Sequence, residues 1–366
     1  MRIAFDASVL NASKTGIGYY THHLLQALLK VSRHEILPLS YRPIETDFAM
    51  QPGLLGKPSR IPYRNVWLQW KAPSLVRSLG ADLAHYTNQV APLRKTSPQV
   101  LSIHDMSLHL FTHYHPWRRR FTRRLVDTSI RQVDSLLTGS RSIADDLIRI
   151  TGVASQRVHV VPYAAGPHFA RVTDPHKLEV LRERYLLNLP MLLAVGTLEP
   201  RKNLARLLEA FAESAPHQYS LTVVGAEGWG SPRVEQRIQK LGLGSRVVCT
   251  GYVPAADLPG LYSLADALIY PSLYEGFGLP VLEAMACATP VVTSQGGALE
   301  EHFAGAALLV DANSVESIKR AIEKICNSSA LRQELSQQGG QTANRYSWRK
   351  TAERTLEIYA GVARAG

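Results

Sequence analysis

Glu275 and Glu283 stand eight positions apart in the run EGFGLPVLE, with a Gly-Phe-Gly turn and Leu279-Pro280 between them. Carboxylates spaced in this way can accept O–H hydrogen bonds from a polyhydroxylated ligand at two points. The strand-like run ADALIYPS (265–272) precedes them, and the helix-like LPVLEAMA (279–286) follows. Pro280 falls in the first helical turn, where its missing N–H costs nothing. A strand that ends, a backbone that turns at Gly276 and Gly278, and a helix N-terminus at the opening form a seat for an anionic group such as phosphate. Together these outline a nucleotide-sugar site. The competing reading is a buried strand–loop–helix with two incidental glutamates. Against it, Glu283 sits amid Val281, Leu282, Ala284 and Met285, where a carboxylate requires a partner.

Upstream, GTLEPRKN (196–203) follows a buried strand and opens a helix. Arg201 and Lys202 are locally unfavourable near a helix N-terminus, which makes sense if an anion binds between them; the alternative is a pair of exposed solubilising charges. GYV (251–253) ends another strand, and the Val253 backbone could meet a planar base. In the first half, Gly16 and Gly18 lie between a strand and a helix, and the third glycine of a dinucleotide fingerprint is replaced by Thr21, which argues against a dehydrogenase. His104-Asp105 ends the strand QVLSIHD at its carboxyl edge. No Asp-x-Asp pair and no His/Cys spacing suggests a metal, so no metal and no cofactor is expected.

Strand-like runs alternate with helix-period stretches along the whole chain. RIAFDAS (2–8), ADLAHYTN (81–88), QVLSIHD (99–105), SLLTGS (135–140) and RVHVVPY (157–163) form a first series. MLLAVGT (191–197), SLTVVG (220–225), RVVCTGY (246–252), DALIYPS (266–272) and PVVTS (290–294) form a second, with 166–190 as the expected link. Such alternation predicts an α/β chain of two doubly wound, parallel-sheet, Rossmann-like domains facing a central cleft. A length of 366 residues, 45% of them hydrophobic, suits two domains.

No apolar run approaches the ~18 residues of a membrane span. MRIAFDASVL enters a strand pattern at once, unlike a signal peptide. Cys249, Cys287 and Cys326 are far apart and suit a reducing, cytoplasmic setting. The net charge of +11 is lopsided: residues 1–165 carry 21 Lys and Arg against 10 Asp and Glu, and 166–366 carry 20 against 20. The asymmetry suggests an anionic partner for the first half, nucleic acid or anionic lipid, against the alternative of a merely solvated basic surface. HPWRRRFTRRLVDTSIR (115–131) places Trp117, Phe121, Leu125 and Thr128 on one helical face and Arg119, Arg120, Arg123, Arg124 and Arg131 on the other. IPYRNVWLQWK (61–71) interleaves Trp67 and Trp70 with Arg64 and Lys71. Both suit a lipid interface, and equally a solvated helix over a core.

With these segments in hand, the chain resembles the retaining glycosyltransferases of family 4, which have the two-Rossmann GT-B fold. Ser272, Glu275 and Glu283 match the hallmark paired glutamates. The glycine loop, the strand-terminal His-Asp, GTLEPRKN and YSWRKTAERTLEIY (346–359) match as well. The resemblance implies an acceptor-binding domain over 1–168, a nucleotide-sugar donor domain over 169–345, and a helix over 346–366 that crosses back to the first domain. It implies that Glu275 and the backbone of Phe277, Gly278 and Leu279 hold the donor sugar and its β-phosphate. Glu283 would accept from the ribose, Arg201 and Lys202 would neutralise the pyrophosphate, and Val253 would meet the base. Gly16 and Gly18 would close on the phosphates, and His104 would line the sugar. Two departures stand out. Thr197 occupies a place where many members have arginine, and Ala288 one where they have glycine.

The implied activity is metal-independent, retaining hexosyl transfer by a front-face route, with GDP-mannose the first expectation. The implied acceptor is a lipid-diphosphate-linked glycan of cell-surface polysaccharide such as lipopolysaccharide O-antigen. The enzyme would lie at the inner face of the membrane as a peripheral protein and bind no nucleic acid. Two alternatives stay open: a GT-B nucleotide-sugar epimerase, and a non-catalytic, basic membrane- or nucleic-acid-binding protein.

Overall fold

The structure, a computed structural model, describes residues 1–11, 16–44, 63–111, 119–228 and 234–365. They form two compact units, Met1–Tyr163 together with Ser347–Gly366, and Ala164–Tyr346.

The first unit is built on six parallel strands, β1 (Arg2–Asp6), β2 (Glu35–Leu39), β3 (Leu83–Tyr86), β4 (Gln99–Ser102), β5 (Ser135–Thr138) and β6 (Val158–Val160), in the order β2-β1-β3-β4-β5-β6. Strands β3, β4 and β5 are buried along their whole length. Helices cover both faces of such a sheet, which is why these strands read as continuous apolar runs and not as alternating ones. Strand β2 is an edge strand containing Pro38, which pairs in register with Phe5. An edge position tolerates proline because only one neighbour asks for hydrogen bonds.

A buried polar chain runs through this unit. Tyr359, on the helix Trp348–Ala365, meets His85 Nδ1 at 2.5 Å. His85 Nε2 meets the Ser102 hydroxyl at 2.8 Å, and the Tyr20 hydroxyl meets Ser102 at 2.8 Å. Burial, helped by the neighbouring His104, pushes the His85 imidazole down to about 3, so it is held neutral. The helix Trp348–Ala365 also packs on the helix Gly16–Val31, and the Thr351 hydroxyl donates to the Pro162 carbonyl at 2.8 Å.

The second unit carries β7 (Met191–Val195), β8 (Ser220–Val224), β9 (Val247–Gly251), β10 (Ala267–Tyr270), β11 (Val291–Ser294) and β12 (Leu308–Val310), in the order β12-β11-β10-β7-β8-β9. Counting from β7, this is the strand order of dinucleotide-binding sheets, with its reversal between β7 and β10. In the helix Leu204–Ser214, Leu204, Leu207, Leu208 and Phe211 repeat at helical spacing and seal one face of the sheet with Ile318 and Ile322 of the helix Val315–Asn327. Ser314 caps that second helix by accepting from the Ser317 N–H, a contact of about 1 kcal/mol. The segment 166–190, expected as a link, instead contains the helix Pro175–Arg184, capped by Asp174. Its Leu181 lies so close to Gly260 that a Cβ there would stand 2.1 Å from Leu181 Cδ1. Packing of this kind makes it part of the second unit.

Candidate functional site

Sheets of this type offer a ligand the carboxyl ends of the strands where the order reverses. In the second unit that place is flanked by the segments after β7 and β10. After β7, Gly196 (φ 144°) makes room for the Lys202 stem: a Cβ there would come within 3.2 Å of Lys202 Cε. The chain then makes a short 3-10 turn, Pro200–Lys202, and Asn203 enters the left-handed region (φ 61°) before the helix Leu204–Ser214. Asn203 is fixed there because its amide donates to the carbonyls of Pro271 (3.0 Å) and Ala312 (2.6 Å). The turn following β7 is thereby tied to the chain leaving β10 and β12.

Glu275 receives four donors from these segments. Lys202 Nζ lies 2.7 Å from Oε1, and the hydroxyls of Tyr270 (2.8 Å) and Ser272 (2.6 Å) donate to the same oxygen. Arg201 Nη1 donates to Oε2 at 2.8 Å. Burial would raise this carboxyl, but Arg201, Lys202 and the hydrogen bonds outweigh it and hold it at about 2. The Lys202 ammonium is pushed down by burial against the pull of Glu275. Arg201 also donates from Nε (2.9 Å) and Nη2 (2.5 Å) to Glu199 Oε1, and from Nη1 to the Tyr274 carbonyl (2.7 Å). The two cations expected to await an external anion therefore meet two carboxylates of their own chain. Glu199, 7% exposed, completes a charge-balanced cluster.

The turn beyond Glu275 needs its second glycine. Gly278 has φ 101°, and a Cβ would lie 2.6 Å from Leu299 Cδ2 and 3.1 Å from Phe303 Cε2. Phe277 is buried, packed on the rings of His302 (4.4 Å between centroids) and Tyr346 (5.6 Å). Its side chain is thereby committed to the interior of the unit. The helix Leu279–Ala286 begins at Leu279 and Pro280, and its next N–H groups, from Val281 and Leu282, turn back to the Gly278 carbonyl. Glu283 lies one turn in, partly buried, and accepts from the Tyr262 hydroxyl at 3.1 Å. Burial raises its carboxyl to about 7 despite that hydrogen bond.

The remaining expected residues are placed as follows. Val253, with a buried side chain, follows β9 just past Gly251 (φ 68°). In the first unit, Gly16 opens the helix Gly16–Val31 with no atom within 4 Å of where a Cβ would stand, and Gly18 is buried in it. His104 lies beyond β4. Its Nε2 is 2.7 Å from the Thr87 carbonyl and its Nδ1 is 2.9 Å from the Tyr163 hydroxyl. A carbonyl only accepts, so Nε2 carries the proton and Nδ1 accepts from Tyr163. Burial lowers the imidazole further and keeps it neutral. Arg201, Lys202 and Glu275 thus converge, with Phe277, Gly278, Leu279 and Glu283 following in the same segment of the second unit. Gly16, Gly18 and His104 belong to the first. Glu199, Tyr270, Asn203 and Tyr262 were not singled out from sequence, although Glu199 and Asn203 lie inside GTLEPRKN.

On the basic helix, described from Arg119 to Gln132, the inner face is Leu125, Val126, Ser129 and Ile130. Phe121, expected beside Leu125, is 74% exposed, because Ser129 anchors the helix one face round by bonding Ala91. Trp117 lies outside the described residues. Arg123, Arg124 and Arg131 are exposed. On the helix Arg64–Trp70, Trp67 is core whereas Trp70 is 76% exposed. Among the described residues no helix is long and apolar enough to cross a membrane.

Comparison with known proteins adds to this geometry. The profile of the family described as Glycosyltransferase Family 4 matches residues 14–164, and that of Glycosyl transferases group 1 matches residues 181–342. The O-antigen chain mannosyltransferase B of Escherichia coli is 28% identical over 98% of this chain and 99% of its own. Among solved structures, sucrose-phosphate synthase from Thermosynechococcus elongatus superposes with a TM-score of 0.78 at 22% identity, over all of both chains. Anabaena HepE, in complex with UDP-glucose, superposes with a TM-score of 0.75 at 18% identity, over 99% of this chain and 100% of its own. The two structural likenesses concern the GT-B fold.

Proposed function

Because the chain belongs to the family 4 glycosyltransferases, with a group 1 glycosyl transferase domain as its second half, we propose that it is a retaining, metal-independent mannosyltransferase. It moves mannose from GDP-mannose to a growing, lipid-linked glycan of cell-surface polysaccharide. The observation that carries this reading is the Lys202–Glu275 pair set beside the Gly278 turn and the start of the helix Leu279–Ala286, where the strand order reverses. Mannose is favoured by the similarity to an O-antigen chain mannosyltransferase.

In this reading the β-phosphate rests on the backbone of Phe277, Gly278 and Leu279, at the positive end of the helix. An ammonium has three donors. Lys202 uses two on Glu275 and Tyr270, and the third meets the diphosphate as negative charge builds on it. Positive charge from Lys202 and the helix replaces a metal ion. Glu275 Oε2, with only Arg201 on it among the described contacts, accepts from a sugar hydroxyl. Glu283 accepts from the ribose, and the Val253 backbone meets the base. For Gly16, Gly18 and His104, which belong to the first unit, the resemblance implies roles at the phosphates and at the sugar. The leaving phosphate takes the acceptor proton, so the C1–O bond to phosphate breaks as the C1–O bond to the acceptor forms on the same face. The exposed Trp70, and Phe121 on the same helix as the exposed Arg123 and Arg124, suit a peripheral place on an anionic membrane, at the cytoplasmic face where nucleotide sugars are found.

The test is incubation with GDP-mannose and a panel of other nucleotide sugars, in excess EDTA, with a mannosyl-diphosphate-lipid acceptor. Transfer from GDP-mannose with release of GDP and an α-linked product is expected. Transfer of another sugar would reassign the donor. Conversion of a nucleotide sugar without acceptor would make the protein an epimerase.

A further inference from the structure

We propose that Arg201 is a positioning residue for Glu275 and makes no contact with the donor diphosphate, which is left to Lys202. The proposal rests on the donor reading above. Arginine recognises planar anions through a fixed fork of N–H groups. In Arg201 that fork is turned inward. Nε and Nη2 both donate to Glu199 Oε1, and Nη1 donates to Glu275 Oε2 and to the Tyr274 carbonyl. Its main chain is tied down as well: the Arg201 carbonyl accepts from the Leu273 N–H (2.8 Å) and from the Ser272 hydroxyl (3.1 Å). Arg201 is therefore a rivet joining the turn after β7 to the segment after β10, with Glu199 holding its far edge.

Lys202 differs. Its ammonium lies over the Tyr270 ring, 4.9 Å from the centroid, and its two hydrogen bonds among the described residues leave an N–H over. The carboxylate is treated asymmetrically too. Oε1 receives Lys202, Tyr270 and Ser272, whereas Oε2 receives Arg201. Arg201 thus sets the plane of the carboxylate and so the direction in which Oε2 presents its remaining lone pair.

The experiment is calorimetric titration with GDP and with UDP, alongside transfer kinetics, for wild type, Arg201→Ala, Arg201→Lys, Lys202→Ala, Glu275→Gln and the double variant Arg201→Ala/Glu275→Gln. Positioning predicts that Arg201→Ala keeps nucleotide affinity within roughly 3-fold of wild type while kcat falls at least ~10-fold, and that Lys202→Ala loses affinity by at least ~10-fold. The double variant should be no slower than Glu275→Gln, because both changes act through one carboxylate. Arg201→Lys should not restore kcat, since a point charge cannot hold two carboxylates in one plane. Loss of GDP or UDP affinity in Arg201→Ala equal to that in Lys202→Ala, with recovery in Arg201→Lys, would overturn the proposal and leave the donor reading intact. Binding of neither nucleotide by wild type would remove the donor reading itself, and the proposal with it. Should Arg201→Ala not fold, Glu199→Gln decides: reduced kcat at unchanged nucleotide affinity supports positioning, and unchanged kcat refutes it.

Discussion

Lys202 and Glu275 are 73 residues apart in the chain and 2.7 Å apart in the fold. Glu275 is the counter-charge that Lys202 touches, in a place where a lone cation would be costly, whereas Glu275 also holds Arg201; removing one partner of a buried pair costs ~3–5 kcal/mol. The conservative change is therefore the informative one. Glu275→Gln should fold and lose at least ~100-fold in turnover, the usual loss when one preorganised electrostatic partner is removed. Lys202→Ala should lose at least as much. Near-wild-type turnover in either folded variant would end the assignment.

Glu283 titrates in an accessible range. Its carboxyl, raised from an ordinary 4.5 to about 7 by burial, is half protonated near neutrality. Ribose hydroxyls need it as an acceptor, so donor affinity should rise as pH passes through 7, and Glu283→Gln should flatten that rise. Stability has the opposite sign. The folded state holds the Glu283 proton between pH 4.5 and 7 where the unfolded state has released it, so this group's contribution declines as pH rises across that window. Glu275, held at about 2, contributes stability above pH 4.5 that is lost as pH falls towards 2. Denaturation series at stepped pH, in wild type and in each Gln variant, separate the two.

Ala288 should be improvable. It follows the helix Leu279–Ala286 with φ 59°, a conformation that costs a residue with a Cβ roughly 1–2 kcal/mol. Ala288→Gly relieves this at the expense of a freer unfolded chain, for a net gain of about 1 kcal/mol. Urea titration should show a higher midpoint at unchanged slope, and turnover should not change.

Membrane docking has a compact test in the first unit. Arg123→Gln/Arg124→Gln/Trp70→Ala should bind vesicles containing anionic lipid more weakly at low salt. Two cations at about 1 kcal/mol each account for ~30-fold, before the Trp70 contribution. Co-sedimentation measures it. Undiminished binding would make these residues an ordinary solvated surface, whereas weaker binding with intact transfer to a short soluble acceptor would separate docking from catalysis.

The parts of the fold legible in the sequence are those where burial leaves a continuous apolar run. Strands β3, β4, β5, β7, β8, β10 and β11 are of this kind. The missed strands are both at sheet edges: β2 contains Pro38, and β12 spans Leu308–Val310. The helix Pro175–Arg184 was read as a link because PHKLEVLRER buries little beyond Leu181. In the site, the Glu275–Glu283 spacing and the cations of GTLEPRKN were visible because one turn carries each. The aim of Arg201 at Glu275 was not, since it arises where two segments 74 residues apart meet, and Glu199, two residues from Arg201 in the same turn, shows its role only once that aim is known. Phe121 illustrates the same limit. Helical periodicity groups it with Leu125, but only the Ser129–Ala91 contact decides which face turns inward.

The polar chain from Tyr359 to His85 has a consequence for how the protein is made. Residues 164–346 form a unit that can close as soon as they leave the ribosome, whereas the sheet begun by Arg2–Asp6 lacks the helix Trp348–Ala365 until after that unit has been translated. Until then His85 has no phenol for its Nδ1, and the Gly16–Val31 helix lacks the helix Trp348–Ala365 that it packs on. The first half to be synthesised is thus the last to be completed, and its exposed apolar surface in that interval is where nascent-chain chaperones would act.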